Sequence, residues 1–162
     1  VDFMEANEDF VMSFHSVDVE NRIKKIDYKY PIPQKTVLRL QDIIFKHYIP
    51  TCSLLFKTDA MPKPFPEWFH KCPMGDIPLE LMIAEKGLTK YFDEPMGVYR
   101  KHESGITGDK NRRKKGRSGY LYMYKKLRKH LGFRHWLMFT ALIYKHRIGF
   151  INDYFGFNPL LK

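Results

Sequence analysis

Gly75-Asp76-Ile77-Pro78-Leu79-Glu80-Leu81-Met82-Ile83-Ala84-Glu85-Lys86-Gly87-Leu88-Thr89-Lys90-Tyr91-Phe92 is the run that decides the fold. Asp76 stands where a helix N-cap is wanted, and Pro78 suits the first turn. Leu79, Met82, Ile83 and Leu88 supply an apolar stripe, and Gly87 ends the helix. Thr89–Phe92 and Gly97–Arg100 then read as short strands around an Asp93-Glu94-Pro95 turn. Helix and strand in close succession put the chain in the α/β class.

Working upstream, Phe10–Val19 is apolar, partly alternating and β-branched toward its end, so a strand is expected. Arg22–Pro33 is polar and bounded by proline and reads as loop. Thr36 is the expected N-cap of a helix with Val37, Leu40, Ile44 and Tyr48 on one face, stopped by Pro50. Cys52–Phe56 reads as a short buried strand, and Met61–Pro73 as an aromatic loop punctuated by prolines. Downstream, Gly105–Gly119 reads as loop around the basic run Lys110–Arg117. Helices are expected along Tyr120, Tyr124, Leu127 and Leu131, and over His135–His146.

The 162 residues, 44% of them hydrophobic, suffice for a compact core. The first residues, Val1 to Asn7, read as the end of a helix already under way, so a fragment or a processed product is expected. No signal-like apolar run is seen. Cys52 and Cys72 are too far apart for a Cys-x-x-Cys ligand pair and read as reduced thiols of a cytosolic protein. The net charge of +10 is confined to the tail, since residues 110–162 hold 14 Lys/Arg against one Asp/Glu. Residues 1–109 and 110–162 are therefore expected to be two units, the second a basic, aromatic helical tail suited to an anionic surface.

Several groups carry chemistry. Asp76 is a carboxylate at a helix start, and Tyr99-Arg100-Lys101-His102 offers an aromatic, a guanidinium and an imidazole about two dozen residues later. Phe14-His15, Thr51-Cys52-Ser53, Pro66-Glu67-Trp68, Gly75-Asp76 and Tyr99-Arg100-Lys101-His102 follow one another in an order that resembles the second half of a bacterial family-2 glycosyltransferase with the A-type fold. The match is collinear over roughly residues 1–107. The resemblance implies a partial mixed sheet of that type with flanking helices, followed by the basic helices. The family's nucleotide-binding strands and Asp-x-Asp metal motif would lie upstream of Val1. Asp18-Val19-Glu20 comes too late in the order to replace that motif and reads as a strand-end turn.

By the same resemblance, the chain belongs to an enzyme moving a sugar, with inversion, from a nucleotide-sugar donor to a glycan or lipid-linked acceptor. Being the acceptor half, it would be inert alone. Asp76 would be the general base, although an N-cap would also explain it. His102 would be a ligand of Mg²⁺ or Mn²⁺, or bond the diphosphate, or simply be a surface residue. Arg100 would contact phosphate or form an internal ion pair, and Tyr99 would line the site or the core. Gly75 accompanies Asp76. Trp68 would wall a sugar face or fill the core, and Thr51 and Ser53 would line the acceptor side or cap a strand. Family acceptors imply a bacterial envelope polysaccharide made in the cytoplasm, at the inner face of the plasma membrane.

In the tail, Trp136–Tyr144 is too short to span a bilayer but is bracketed by Arg134 and Lys145-His146-Arg147. That suits an interfacial helix or a packed terminal helix equally. Half a sheet would also leave apolar surface for self-association. The competing reading is a basic nucleic-acid-binding protein stacking bases on Tyr120, Tyr122 and Tyr124, or a peripheral membrane protein without chemistry. No recognised nucleic-acid motif is present, and nucleic acid is not the expected partner.

Overall fold

The computed structural model describes residues 1–31, 35–46, 48–103 and 110–154; for 110–117 and 149–154 it describes the backbone alone. In chain order the elements are α1 (Asp2–Ala6), β1 (Phe10–Asn21), β2 (Ile26–Tyr30), β3 (Val37–Leu38), α2 (Leu40–Ile44), β4 (Leu55–Phe56), α3 (Asp76–Ala84), β5 (Leu88–Lys101), α4 (Lys110–His130) and α5 (Trp136–Tyr154). The fold is α/β, as expected, with one mixed sheet of five strands flanked by helices. The sheet runs β2-β1-β5-β3, and β4 pairs with β1 on the edge that β2 also uses. β1 and β5 are parallel, while the β1–β2, β1–β4 and β3–β5 pairs are antiparallel. The parallel pair needs a crossover, which α2 and α3 supply.

β1 owes its shape to a slip of register against β5 around His15, Ser16 and Asp18. Met12 and Phe14 are buried before the slip, Val17 and Val19 after it, so the inward set changes from even to odd positions. The strand thus keeps an apolar side throughout, with Met12 and Phe14 in the core under the helices and Val17 and Val19 lining a cleft. Those helices close one core: Met12, Phe14, Ile43, Leu81, Ile83, Met123, Leu127 and Phe139 belong to a single buried cluster. α1 covers part of the other face, where the Phe3 ring meets Phe10 and Phe92 edge-on at 4.9 and 5.5 Å.

Tertiary pairing moves several boundaries. Arg22–Pro33, expected as loop, contains β2, because Ile26–Tyr30 ladders on Val17–Asn21. The two strands expected at Thr89–Phe92 and Gly97–Arg100 are one strand, β5, since β1 pairs with both halves and carries the chain through Asp93-Glu94-Pro95. Val37 and Leu38 pair with Lys90 and Thr89, so no helix starts at Thr36. It begins at Leu40, after the Asp42 carboxylate has accepted the Arg39 N–H at 2.9 Å. Cys52–Phe56 is a tight turn, Thr51–Ser53, followed by the short β4. The Ser53 hydroxyl closes the turn by donating to the Pro50 carbonyl at 2.8 Å.

The tail also differs. The basic run is helical from Lys110 rather than looped, as Lys and Arg readily allow; residues 105–109 of the expected loop lie outside the described residues. α5 extends to Tyr154, past the expected His146. α4 and α5 run antiparallel, with Tyr120 stacked on His146 at 5.4 Å and Tyr124 against Phe139 at 6.3 Å. Met123, Tyr124, Leu127, Phe139, Leu142 and Ile143 belong to the same buried cluster as β1 and α3, and the expected boundary at 109/110 falls beside residues outside the description. No described helix is long and apolar enough to cross a membrane.

Two tyrosines make this core sensitive to alkali. Burial first, then the Asp42 charge, pushes the Tyr48 phenol up to about 12; burial first, then Tyr120, does the same for Tyr124. In an unfolded chain a phenol ionises near pH 10. The folded state therefore holds these protons more tightly, and their contribution is present below about pH 10 and lost as the pH rises toward about 12. Melting temperature should fall most steeply across that window, and Tyr124→Phe should make the fall shallower. A melting temperature that is flat from about pH 10 to 12 would contradict this.

Candidate functional site

The inward faces of β2, β1 and β5 form the floor of a cleft of about 780 Å³. Strand alternation decides what lies on that floor. Val19 is in register with Tyr28 on one side and Tyr99 on the other, and Val17 with Tyr30, so three tyrosines converge over two valines. Lys101 follows Tyr99 by two and shares its face. The opposite wall is Thr51, Cys52, Asp76 and Ile77, and Tyr120 of α4 completes it.

Asp76 is the first residue of α3, with Gly75 rather than Asp76 at the N-cap. Its carboxylate is held by two donors: the Ile77 N–H to Oδ1 at 2.9 Å and the Thr51 hydroxyl to Oδ2 at 3.0 Å. A carboxylate has about four acceptor positions, so each oxygen retains one for a further donor in the cleft. The N-cap explanation for this aspartate falls away, because its contacts are to the adjacent amide and to a residue 25 positions upstream. Gly119 of α4 contributes at a distance. A Cβ there would run into the Pro73 ring, so the missing side chain lets α4 close on the turn ahead of Gly75-Asp76.

The remaining electrostatics are those of a mixed polar and aromatic site. Lys101 Nζ donates to the Tyr28 hydroxyl at 2.7 Å and lies 5.4 and 5.8 Å from the Tyr28 and Tyr99 ring centres. Burial, reinforced by Tyr28 and then Glu80, pushes the Tyr30 phenol up. Burial and then the Asp76 charge do the same for Tyr120. Both phenols thus remain neutral hydroxyls near pH 7, able to donate to or accept from a polar ligand. An aromatic floor, a fixed carboxylate and a cation together can pack the C–H face of a ring, accept a hydroxyl proton and hold a negative group.

Compared with family models, curated proteins and solved structures, the chain matches none. The assignment of a site therefore rests on its own residues. Of those singled out in the sequence, Thr51, Asp76 and Tyr99 line the cleft, and Gly75 borders it. Arg100 does not: it lies on the outer face of β5, where its Nε is 3.2 Å from Glu20 Oε2, so the ion-pair alternative describes it. Glu20 also meets Arg22 at 3.6 Å, and Asp18-Val19-Glu20 is the interior of β1 rather than a turn. Ser53 is buried in its own turn. Trp68 packs on the core, its ring 6.0 Å from His130 and its carbonyl accepting from the Tyr122 hydroxyl at 3.3 Å, outside the lining of the cleft.

His102 is exposed just past β5 and is not part of the lining. Among the described residues no three His, Cys, Asp or Glu side chains stand together as a cation site. The surface-residue alternative describes where His102 stands. Tyr28 and Tyr30 were not singled out in the sequence, Lys101 figured there only as part of its motif, and Tyr120 only as a helix position and a base-stacking ring. Alternation carried the signal for three of them: Ile26, Tyr28 and Tyr30 recur by two, as do Tyr99 and Lys101.

Proposed function

We propose that the chain is the acceptor-binding part of a sugar-transferring enzyme of the inverting, A-type kind, and that Asp76 is its general base. The observation that carries this is the pairing of Asp76 with Tyr99 and Lys101 in one cleft, the carboxylate oriented by Thr51 and Ile77. The order of Phe14-His15, Thr51-Cys52-Ser53, Gly75-Asp76 and Tyr99-Arg100-Lys101-His102 supports it independently.

The proposed chemistry is a single displacement at the donor sugar. A glycan hydroxyl resting beside Asp76 gives its proton to the carboxylate as its oxygen bonds the anomeric carbon of the donor sugar. The bond from that carbon to the diphosphate oxygen breaks at the same time, and its electron pair leaves with the nucleoside diphosphate. Entry on the face opposite the leaving group inverts the anomeric centre. Tyr28, Tyr30 and Tyr99 would hold the acceptor ring against the floor, keeping its hydroxyl within hydrogen-bond reach of the base. Lys101 would bind an anionic group on the acceptor, a carboxylate or phosphate. A bound Mg²⁺ or Mn²⁺ would supply Lewis-acid stabilisation of the departing diphosphate.

The test is sugar transfer by the intact protein that carries this chain, assayed with a panel of nucleotide sugars and glycan acceptors. Asp76→Asn is the deciding variant.

A further inference from the structure

We infer that the outer face of α5 is a docking surface for an anionic lipid bilayer. Phe133 is 93% exposed, Leu137 74%, Tyr144 60% and Ile148 55%. Counted with the exposed Ala141, Leu137, Tyr144 and Ile148 are separated by steps of three or four residues and form one stripe along α5, and Phe133 stands in the tight turn Phe133–His135 that leads into it. The same helix buries Phe139, Leu142 and Ile143 in the core, so it is apolar on both sides. A surface helix of a globular protein normally presents charge on its outer side. A contiguous stripe of large apolar side chains on that side marks an interaction surface.

Charge identifies the occupant. Arg134, Lys145 and Arg147 are exposed along the stripe, and Lys125 and Lys129 are exposed on the neighbouring α4. Arg128 lies 5.4 Å from the Trp136 ring centre and donates to the Thr140 hydroxyl at 3.2 Å, which places a further cation beside the stripe. From Lys110 to Ile148 the sequence contains no Asp or Glu. A second copy docked on this face would bring like charges together. Nucleic acid would satisfy the cations but leave Phe133, Leu137 and Ile148 without partners. A bilayer with anionic headgroups satisfies both, since the apolar side chains enter the acyl boundary while the long basic side chains reach up to phosphate. Nothing in this docking depends on the chemistry of the cleft.

The test is co-sedimentation of the whole chain with phosphatidylcholine vesicles, with and without phosphatidylglycerol, together with the emission shift of Trp136. The wild type should pellet with the anionic vesicles alone, and less so as salt rises. Phe133→Asp with Leu137→Asp should weaken binding on the order of 100-fold or more, through loss of apolar insertion. Arg134→Glu with Lys145→Glu and Arg147→Glu should weaken it on the order of 100-fold. All five positions are exposed, so far-UV circular dichroism should be unchanged. Equal binding to neutral vesicles, no binding at all, or anionic binding indifferent to the Phe133 and Leu137 changes would overturn the proposal. So would a chain whose stripe variants alter its mass by light scattering but not its affinity for vesicles.

Discussion

Asp76→Asn is expected to lower kcat for sugar transfer by about 10²–10⁴-fold, the usual contribution of a positioned general base. Asparagine preserves the shape of the side chain, and its carbonyl oxygen can still accept from either the Ile77 amide or the Thr51 hydroxyl. It cannot take the proton. On this reading the carboxylate serves the acceptor hydroxyl, so the loss should fall on kcat rather than on KM for the nucleotide sugar. Arg100→Ala is the matched control from the same motif. Its partner Glu20 lies on the outer face of the sheet and the pair is exposed, so transfer should stay near the parental rate and stability should move by less than about 1 kcal/mol. An Asp76→Asn enzyme at full speed, or an Arg100→Ala enzyme as slow as Asp76→Asn, would place the chemistry elsewhere.

Phe139→Ala should cost about 3–5 kcal/mol of folding stability, the range for emptying a fully buried aromatic site. Phe139 is completely buried, meets Tyr124 at 6.3 Å and belongs to the cluster that contains Phe14 of β1 and Ile83 of α3. Domain stabilities are about 5–15 kcal/mol, so this one truncation removes a large part of the total. The more discriminating expectation concerns cooperativity. Because α4 and α5 pack in one cluster with the sheet, denaturant unfolding should remain a single transition with its midpoint displaced downward, whether followed by circular dichroism or by tryptophan emission. Loss of the terminal helices alone, with the sheet melting at the parental midpoint, would mean that the tail is an independent unit. That was the expectation from charge, because fourteen basic residues beyond residue 109 look like a separate segment. Charge reports the solvent face of a helix; it is silent about the face that packs.

The same distinction runs through the fold. α3 was legible because its signals are local: a Gly-Asp start, a proline in the first turn and a nearly unbroken apolar run. β1 was legible from its apolar length. What was not legible depended on partners distant in sequence. Asp93-Glu94-Pro95 has the composition of a turn, and only the ladder with β1 carries the strand through it. Ile26–Tyr30 is too polar to look like a strand until β1 is placed beside it. The site divides in the same way. Asp76 was conspicuous as residue type and position, whereas its bond to Thr51 comes from the Thr51–Ser53 turn meeting the start of α3, and the convergence of Tyr28, Tyr30 and Tyr99 from register across three strands. Arg100 shows the cost of reading a motif as a unit, since neighbours in a strand point to opposite faces and only Tyr99 and Lys101 of that motif line the cleft.

A sugar seated in the cleft beside Asp76 would cover Cys52, which lines the same cleft. This thiol is free, exposed and part of the lining, whereas Cys72 is half-buried and its pKa is pushed up by burial, so it should react slowly. In a Cys72→Ser chain, the rate of Cys52 alkylation would be followed while methyl glycosides of a neutral hexose, an N-acetylhexosamine and a hexuronic acid are titrated in turn. Saturable slowing by at least one of them, weakened when Tyr99 is replaced by alanine, is the predicted result. A rate unchanged by every glycoside in the panel, or slowed equally without Tyr99, would contradict the assignment of this cleft.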